Sequence, residues 1–190
     1  MKYFPLLYKL RGEERYLIWV SNEKTSLAAH RGGFLPSFGS LKNLREYAGL
    51  KEYTLEAEEP RMHDLDWVAS WVDEPTKRVD CVRALLAWNL FDDVAASVTA
   101  AGFGVKNERS KSIYEKLFWG NNLPSMTPAG KKYIPKWSRE EIGSLADVLK
   151  TGLRLFTSFV RSWPEELGHK RAKSGPSGQP ERPPSRPRPS

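Results

Sequence analysis

The sequence predicts an α+β fold: an N-terminal antiparallel sheet packed with C-terminal helices, followed by a disordered, basic, proline-rich tail. Three observations carry this. The first third holds aromatic and aliphatic runs separated by glycine turn signals. The middle and last thirds hold apolar residues at spacings of three or four, preceded by capping residues. From His169 onward, large apolar residues vanish. The boundaries expected are one α+β domain over 1–168 and a tail over 169–190.

Tyr3–Leu10 and Arg15–Val20 are two strands, and Arg11-Gly12-Glu13-Glu14 between them is the turn of a hairpin. Leu27–His30 reads as a third strand closed by Gly32-Gly33, and Phe34–Phe38 as extended chain, with Pro36 placing it at an edge or in a loop. Ser40 is an N-cap; Leu41, Leu44 and Ala48 line a helix that Gly49 ends. Tyr53, Leu55 and Ala57 alternate with polar residues, as a half-buried strand does, until Glu58-Glu59-Pro60.

Asp64 caps a short helix through Val72. Asp80 caps a longer one to about Ala101, with Gly102 just beyond. Leu85, Trp88, Phe91, Val94 or Ala95, and Val98 trace its apolar face. Lys106–Lys111 is polar and reads as loop, and Ile113–Trp119 as one or two helical turns. The segment from Gly120 to Pro135 is rich in Gly, Asn and Pro and predicts a long irregular loop, a kind of segment that often carries function. Ser138 and Glu141 have the spacing of a capping box, with Trp137 and Ile142 as its hydrophobic staple. The helix they start is lined by Ile142, Leu145, Leu149, Phe156 and Val160, weakened at Gly152 and closed by Pro164.

Composition narrows the function classes. Hydrophobic residues are 39% and charged residues 28% of a chain of 190, with seven Trp, eight Phe and seven Tyr, so the bulk can build an aromatic-rich core. The net charge of +7 is concentrated: residues 169–190 carry six basic residues and one acid, a net +5, which leaves +2 for the body. A nearly balanced body argues against a dedicated nucleic-acid binder, which needs a concentrated basic face. The tail cannot bury enough surface to offset its ordering entropy. It reads as a solubilising appendage, a basic arm or an extended proline-rich ligand around Pro183-Pro184. Cys81 is the one cysteine, so no internal disulfide forms. Pro5 and Lys9 break the N-terminal apolar stretch, so it does not read as a signal peptide, and no apolar run approaches the roughly 18 residues of a membrane span. These features place the protein in the cytoplasm, with no membrane partner.

No residue pattern specifies catalysis, a metal or a cofactor. His30, His63 and His169 are far apart, and in the cluster His63, Asp64 and Asp66 the first aspartate is better used as a cap. Cys81 sits on the first turn of a helix, where the dipole could activate it, but it reads more simply as a small buried hydrophobe. Gly32-Gly33 and Gly102-x-Gly104 lack the spacing of a phosphate loop. Asp92 and Asp93 adjoin on the long helix, and Asn89 shares a face with Asp93 at i and i+4. These polar groups suit a solvated face, a binding surface or a hydrolase's pair of acids. Trp119, Asn121, Asn122 and Tyr133 belong to an aromatic, amide-rich stretch that suits a loop pinned to the core, a protein interface or a nucleic-acid stacking surface.

The stretch Asp80-Cys81-Val82-Arg83-Ala84-Leu85-Leu86-Ala87-Trp88-Asn89-Leu90-Phe91-Asp92-Asp93, followed by Tyr114-Glu115-Lys116-Leu117-Phe118-Trp119-Gly120-Asn121-Asn122-Leu123-Pro124 and Thr127-Pro128, resembles the immunity proteins of contact-dependent growth inhibition and related polymorphic toxin systems of bacteria. The resemblance covers Tyr3 to Phe159. It implies a non-enzymatic protein that binds a cognate toxin domain and covers its active site or an essential surface, and no single binding residue carries over from it. The partner surface expected is Asn89, Asp92, Asp93, Trp119, Asn121, Asn122 and Tyr133. Two other functions remain open: a nucleic-acid-associated protein gathering Arg78, Arg83, Lys106, Arg109 and Lys111 on one face with the tail, or a hydrolase using Asp92 and Asp93.

Overall fold

The computed structural model describes residues 1–21, 26–98, 103–104, 107–128 and 130–164. The tail expected from His169 lies outside the described residues. The fold is α+β. Strands β1 (Lys2–Leu10) and β2 (Glu13–Ser21) form the expected hairpin, paired from Lys2 with Ser21 to Leu10 with Glu13. Arg11 and Gly12 form its turn, both with positive φ.

The sheet has the order β3-β2-β1-β5 and is mixed, which the hairpin pattern alone did not show. Strand β3 is only Ser26–Leu27, so of the strand expected over Leu27–His30 just Leu27 is in it. The chain then turns so that His30 and Phe34 pair with each other. Strand β4 (Leu35–Ser37) is buried and belongs to a separate two-stranded sheet, in which it is an edge strand as Pro36 had suggested. The half-buried strand expected over 53–57 does not form. Tyr53 stacks on Tyr3 with centroids 4.2 Å apart, and Glu56 N–H donates to the Tyr3 carbonyl at 2.8 Å, but pairing stops there. Instead β5 (Met62–Asp64) runs parallel to β1 at Leu7–Lys9.

Ser40 caps α1 (Leu41–Leu50) by accepting from Asn43 N–H. Gly49 does not end α1; it lies inside it, and the chain leaves through Lys51 and a left-handed Glu52. Asp64 caps α2 (Leu65–Asp73) as expected. Asp80 caps the first turn of α3 (Cys81–Val98), accepting from Arg83 N–H at 3.1 Å. The helix end expected at Ala101–Gly102 lies outside the described residues. Helix α4 (Glu108–Gly120) begins earlier than expected, because Asn107 and Ser110 cap each other reciprocally and turn the polar stretch into a helical first turn. Helix α5 (Arg139–Phe159) starts at the Ser138–Glu141 capping box, with Trp137 and Ile142 both buried. It gives way at once to β6 (Val160–Ser162), parallel to β4, before Pro164 is reached.

Strand alternation divides the core between the two faces of the sheet. Leu6, Tyr8 and Leu17 face α2, α3, α4 and α5 in the larger cluster. Ile18 faces the other way, into a smaller cluster with Phe38, Leu44, Tyr47 and Ala48, against which Tyr3, Tyr53 and Trp163 pack. Gly152, expected to weaken α5, is where α3 and α5 meet: a Cβ there would fall within the ring of Phe91.

Candidate functional site

The segment after α4 is pinned at its base. Asn121 ends the helix, its N–H donating to the Leu117 carbonyl at 3.0 Å. Asn122 follows with φ 50°, a left-handed conformation that asparagine tolerates better than most residues. Its side chain clamps the returning chain: Nδ2 donates to the carbonyls of Gly120 (2.8 Å) and Tyr133 (3.0 Å), and Oδ1 accepts from Tyr133 N–H at 2.7 Å. Lys116 ties the same base to α5. Its ammonium meets Glu141 at 2.5 Å, donates to the Lys136 carbonyl at 3.0 Å and lies 5.6 Å from the Trp137 ring centroid. Lys116 and hydrogen bonds from Ser138 hold the Glu141 carboxyl below the usual range, against a burial effect that alone would raise it.

Above that base the chain projects apolar side chains into solvent. Trp119 is 48% exposed, Met126 48%, Tyr133 45% and Ile134 80%. Among the described residues, the exposed large hydrophobics outside this segment are Met1 and Leu50, so the exposure is concentrated here. Phe118 anchors the platform, packing on the core and meeting the Trp119 ring edge-on at 5.5 Å. Lys131, Lys132 and Lys136 are exposed on the returning part of the same segment. The segment therefore exposes large apolar and cationic side chains together.

The acidic group expected to join this surface lies elsewhere and divides in two. Asn89 and Asp93 border a cleft of about 280 Å³ at the start of β1, floored by Phe4, Leu6 and Trp19. Asp93 accepts from Trp19 Nε1 at 3.1 Å, and Asn89 Oδ1 accepts from the Tyr114 hydroxyl at 3.0 Å. On the edge of β1 away from β2, pairing skips Phe4–Leu6, because the chain arches away between Glu56 and Met62 and leaves this opening. Asp92, partly buried, has its carboxyl pushed up to about 6 by burial and by the neighbouring Asp93 charge. The seven residues thus occupy an α3 surface and a separate surface at the end of α4 and the loop after it.

The other candidates are structural in their contacts. Cys81 is buried beneath Gly120, and burial, then Asp80, pushes its thiol up to about 11. His63 Nδ1 lies within hydrogen-bond distance of the Leu7 and Arg61 carbonyls, and burial lowers its pKa. Among the described residues, no three His, Cys, Asp or Glu side chains converge as metal ligands do. Of the basic residues considered for a nucleic-acid face, Arg83 pairs with Asp64 and Asp80 and Arg109 with Glu140, while Lys106 lies outside the described residues. No described helix is long and apolar enough to cross a membrane.

Met126 and Ile134 were missed in the sequence, as were the exposed Lys131, Lys132 and Lys136. The usable signal was an apolar residue in a segment without periodicity, since such a residue has no buried face to belong to.

No family model and no curated protein matches the chain. Among solved structures, the fold is similar to that of the C-terminal domain of SatS, crystallised in complex with bromine. The TM-score is 0.51 at 14% identity, over 85% of this chain and 94% of that one. At that identity the likeness is one of fold alone.

Proposed function

We propose that this chain is a non-enzymatic protein-binding module, an immunity protein that neutralises a cognate bacterial toxin domain, with Trp119 at the end of α4 and the loop carrying Met126, Tyr133 and Ile134 as its anchor. The observation that carries the binding role is the concentration of exposed large apolar side chains at the end of α4 and on the clamped loop that follows it. Contiguous exposed apolar surface marks an interaction site more often than scattered residues do, and aromatic anchors on a rigid base carry a large share of interface energy. The toxin as partner rests on the resemblance of residues 80–93 and 114–128.

The mechanism is occlusion. Trp119 and Tyr133 enter pockets on the partner, and the exposed lysines favour an acidic surface around those pockets and speed encounter. Asn122 holds the two sides of the loop at fixed spacing, so little ordering entropy is lost on binding.

The test is a pull-down with tagged protein from its native cell, with neighbouring gene products co-expressed, at moderate salt and after nuclease treatment. A stoichiometric, toxic protein partner that is lost on Trp119→Ala supports the proposal. Recovery of nucleic acid alone, from an untreated control, overturns it.

A further inference from the structure

A second cleft, of about 280 Å³, opens where the hairpin end of β1 and β2 meets the C-terminal end of α5. Arg15 stands opposite Tyr8 in the β1–β2 ladder, and both line it. The Arg15 guanidinium is fixed along one edge by the buried Ser37. Nε donates to Ser37 Oγ at 2.7 Å and Nη2 to the Ser37 carbonyl at 3.0 Å. Tyr8 Oη, 2.7 Å from the same Oγ, completes the support.

A guanidinium has five donors, and its second edge, Nη1 with Nη2, has the fork geometry that matches a carboxylate. The group nearest that edge is the Glu13 carboxylate, 3.9 Å from Nη1 and on a side chain that is 73% exposed. That is beyond hydrogen-bond reach, and such an exposed pair is weak. The Arg15 side chain itself is only 21% exposed, so its charge faces the cleft more than bulk water. Arg11 stands at the mouth, so the charged lining residues sum to one positive charge. Leu10, Phe156 and Val160 supply the apolar part of its lining.

We propose that this cleft binds a small monocarboxylate with an apolar body: the carboxylate takes the Nη1–Nη2 edge of Arg15 in place of Glu13, and the body packs on Leu10, Phe156 and Val160. A monoanion is favoured over a dianion because the charged lining residues sum to one positive charge, and the carbonyl end of α5 at the cleft opposes any further negative charge. The competing role for Arg15, a strut joining β2 to β4 through Ser37, requires no ligand.

The experiment titrates the ¹⁵N-labelled full chain with sodium benzoate, with benzyl alcohol and inorganic phosphate as controls. Saturable shifts at Arg15, Ser37 and Thr157 are expected with benzoate and not with benzyl alcohol. Glu13→Gln, which removes the competing acid, tightens benzoate several-fold, and Arg15→Lys, which keeps the charge and loses the fork, weakens it about tenfold or more. No saturable shift in either the parent chain or Glu13→Gln overturns the proposal, as does undiminished binding to a folded Arg15→Lys. Phosphate binding tighter than benzoate overturns the assignment to a monocarboxylate. Should Arg15→Lys fail to fold, the comparison of parent and Glu13→Gln still decides.

Discussion

The seam between α3 and α5 and the loop that follows α4 are built from the same residue types, aromatics and glycines, and put them to opposite uses. At the seam, Phe91 is fully buried and Phe156 is 1% exposed, and Gly152 is bare because Phe91 occupies the space its side chain would take. On the loop, Met126, Tyr133 and Ile134 stand in water, beside Trp119 at the end of α4, over a base fastened by Asn122, Lys116 and Gly120. The difference lies in periodicity. A helix returns a side chain to the same face every three or four residues, so its large groups gather in one core. A loop has no repeat, so clamping its backbone holds some side chains inward and obliges others to project.

The comparison breaks most readily at the seam. Phe91→Ala should cost about 3–5 kcal/mol, read by chemical denaturation, because it removes a fully buried ring from a tightly packed site. Gly152→Ala should cost about 1–3 kcal/mol through overpacking, although alanine is the better helix former by about 1 kcal/mol. In the Phe91→Ala background the same change should become neutral or stabilising; a loss that stays the same in both backgrounds would show that the two residues do not share the space.

At the end of α4 and on the loop the effects should fall on binding. Trp119→Ala is expected to change stability by no more than about 0.5 kcal/mol while weakening the partner complex about tenfold or more, which calorimetry on the purified pair would register. A loss of several kcal/mol of stability would make Trp119 a core residue after all. Asn122→Ala should cost about 1 kcal/mol and speed amide hydrogen exchange across 120–136, since three hydrogen bonds and a tolerated left-handed residue are lost together.

The smallest effect belongs to the polar surface of α3. The folded Asp92 carboxyl sits at about 6 against an ordinary 3.8. The folded chain therefore holds the proton more tightly than the unfolded chain. The associated stability is fully present below the ordinary value and is lost as pH rises through about 6. Solvent screening of this partly exposed group limits the change to about 1 kcal/mol. Asp92→Asn should flatten the fall in melting temperature between pH 4 and 7, and an unchanged slope would place its source in another group.

What the sequence determined by itself was whatever local chemistry specifies. The hairpin at Arg11-Gly12, the caps at Ser40, Asp64, Asp80 and Ser138, and the face from Leu85 to Phe91 were legible because turns, caps and amphipathic periods are set by residues a few positions apart. The segment from Gly120 to Pro135, with Tyr133 upon it, was legible as irregular chain for the same reason, and Ile113–Trp119 as the helical turns that precede it. Only the tertiary structure decided the rest. Strands β5 and β6, three residues each, have no pattern of their own and exist through pairing with β1 and β4. Gly152 reads as a helix weakness until Phe91 arrives from 61 positions away. The expected site of seven residues divided because neighbouring aspartates on a helix point apart. Asp93 turned to Trp19 and Asp92 toward Trp88 and Tyr114, while the loop that was to join them was fastened to α5. Long-range contacts decide which way a side chain faces and what it meets, and residue spacing along the chain does not encode them.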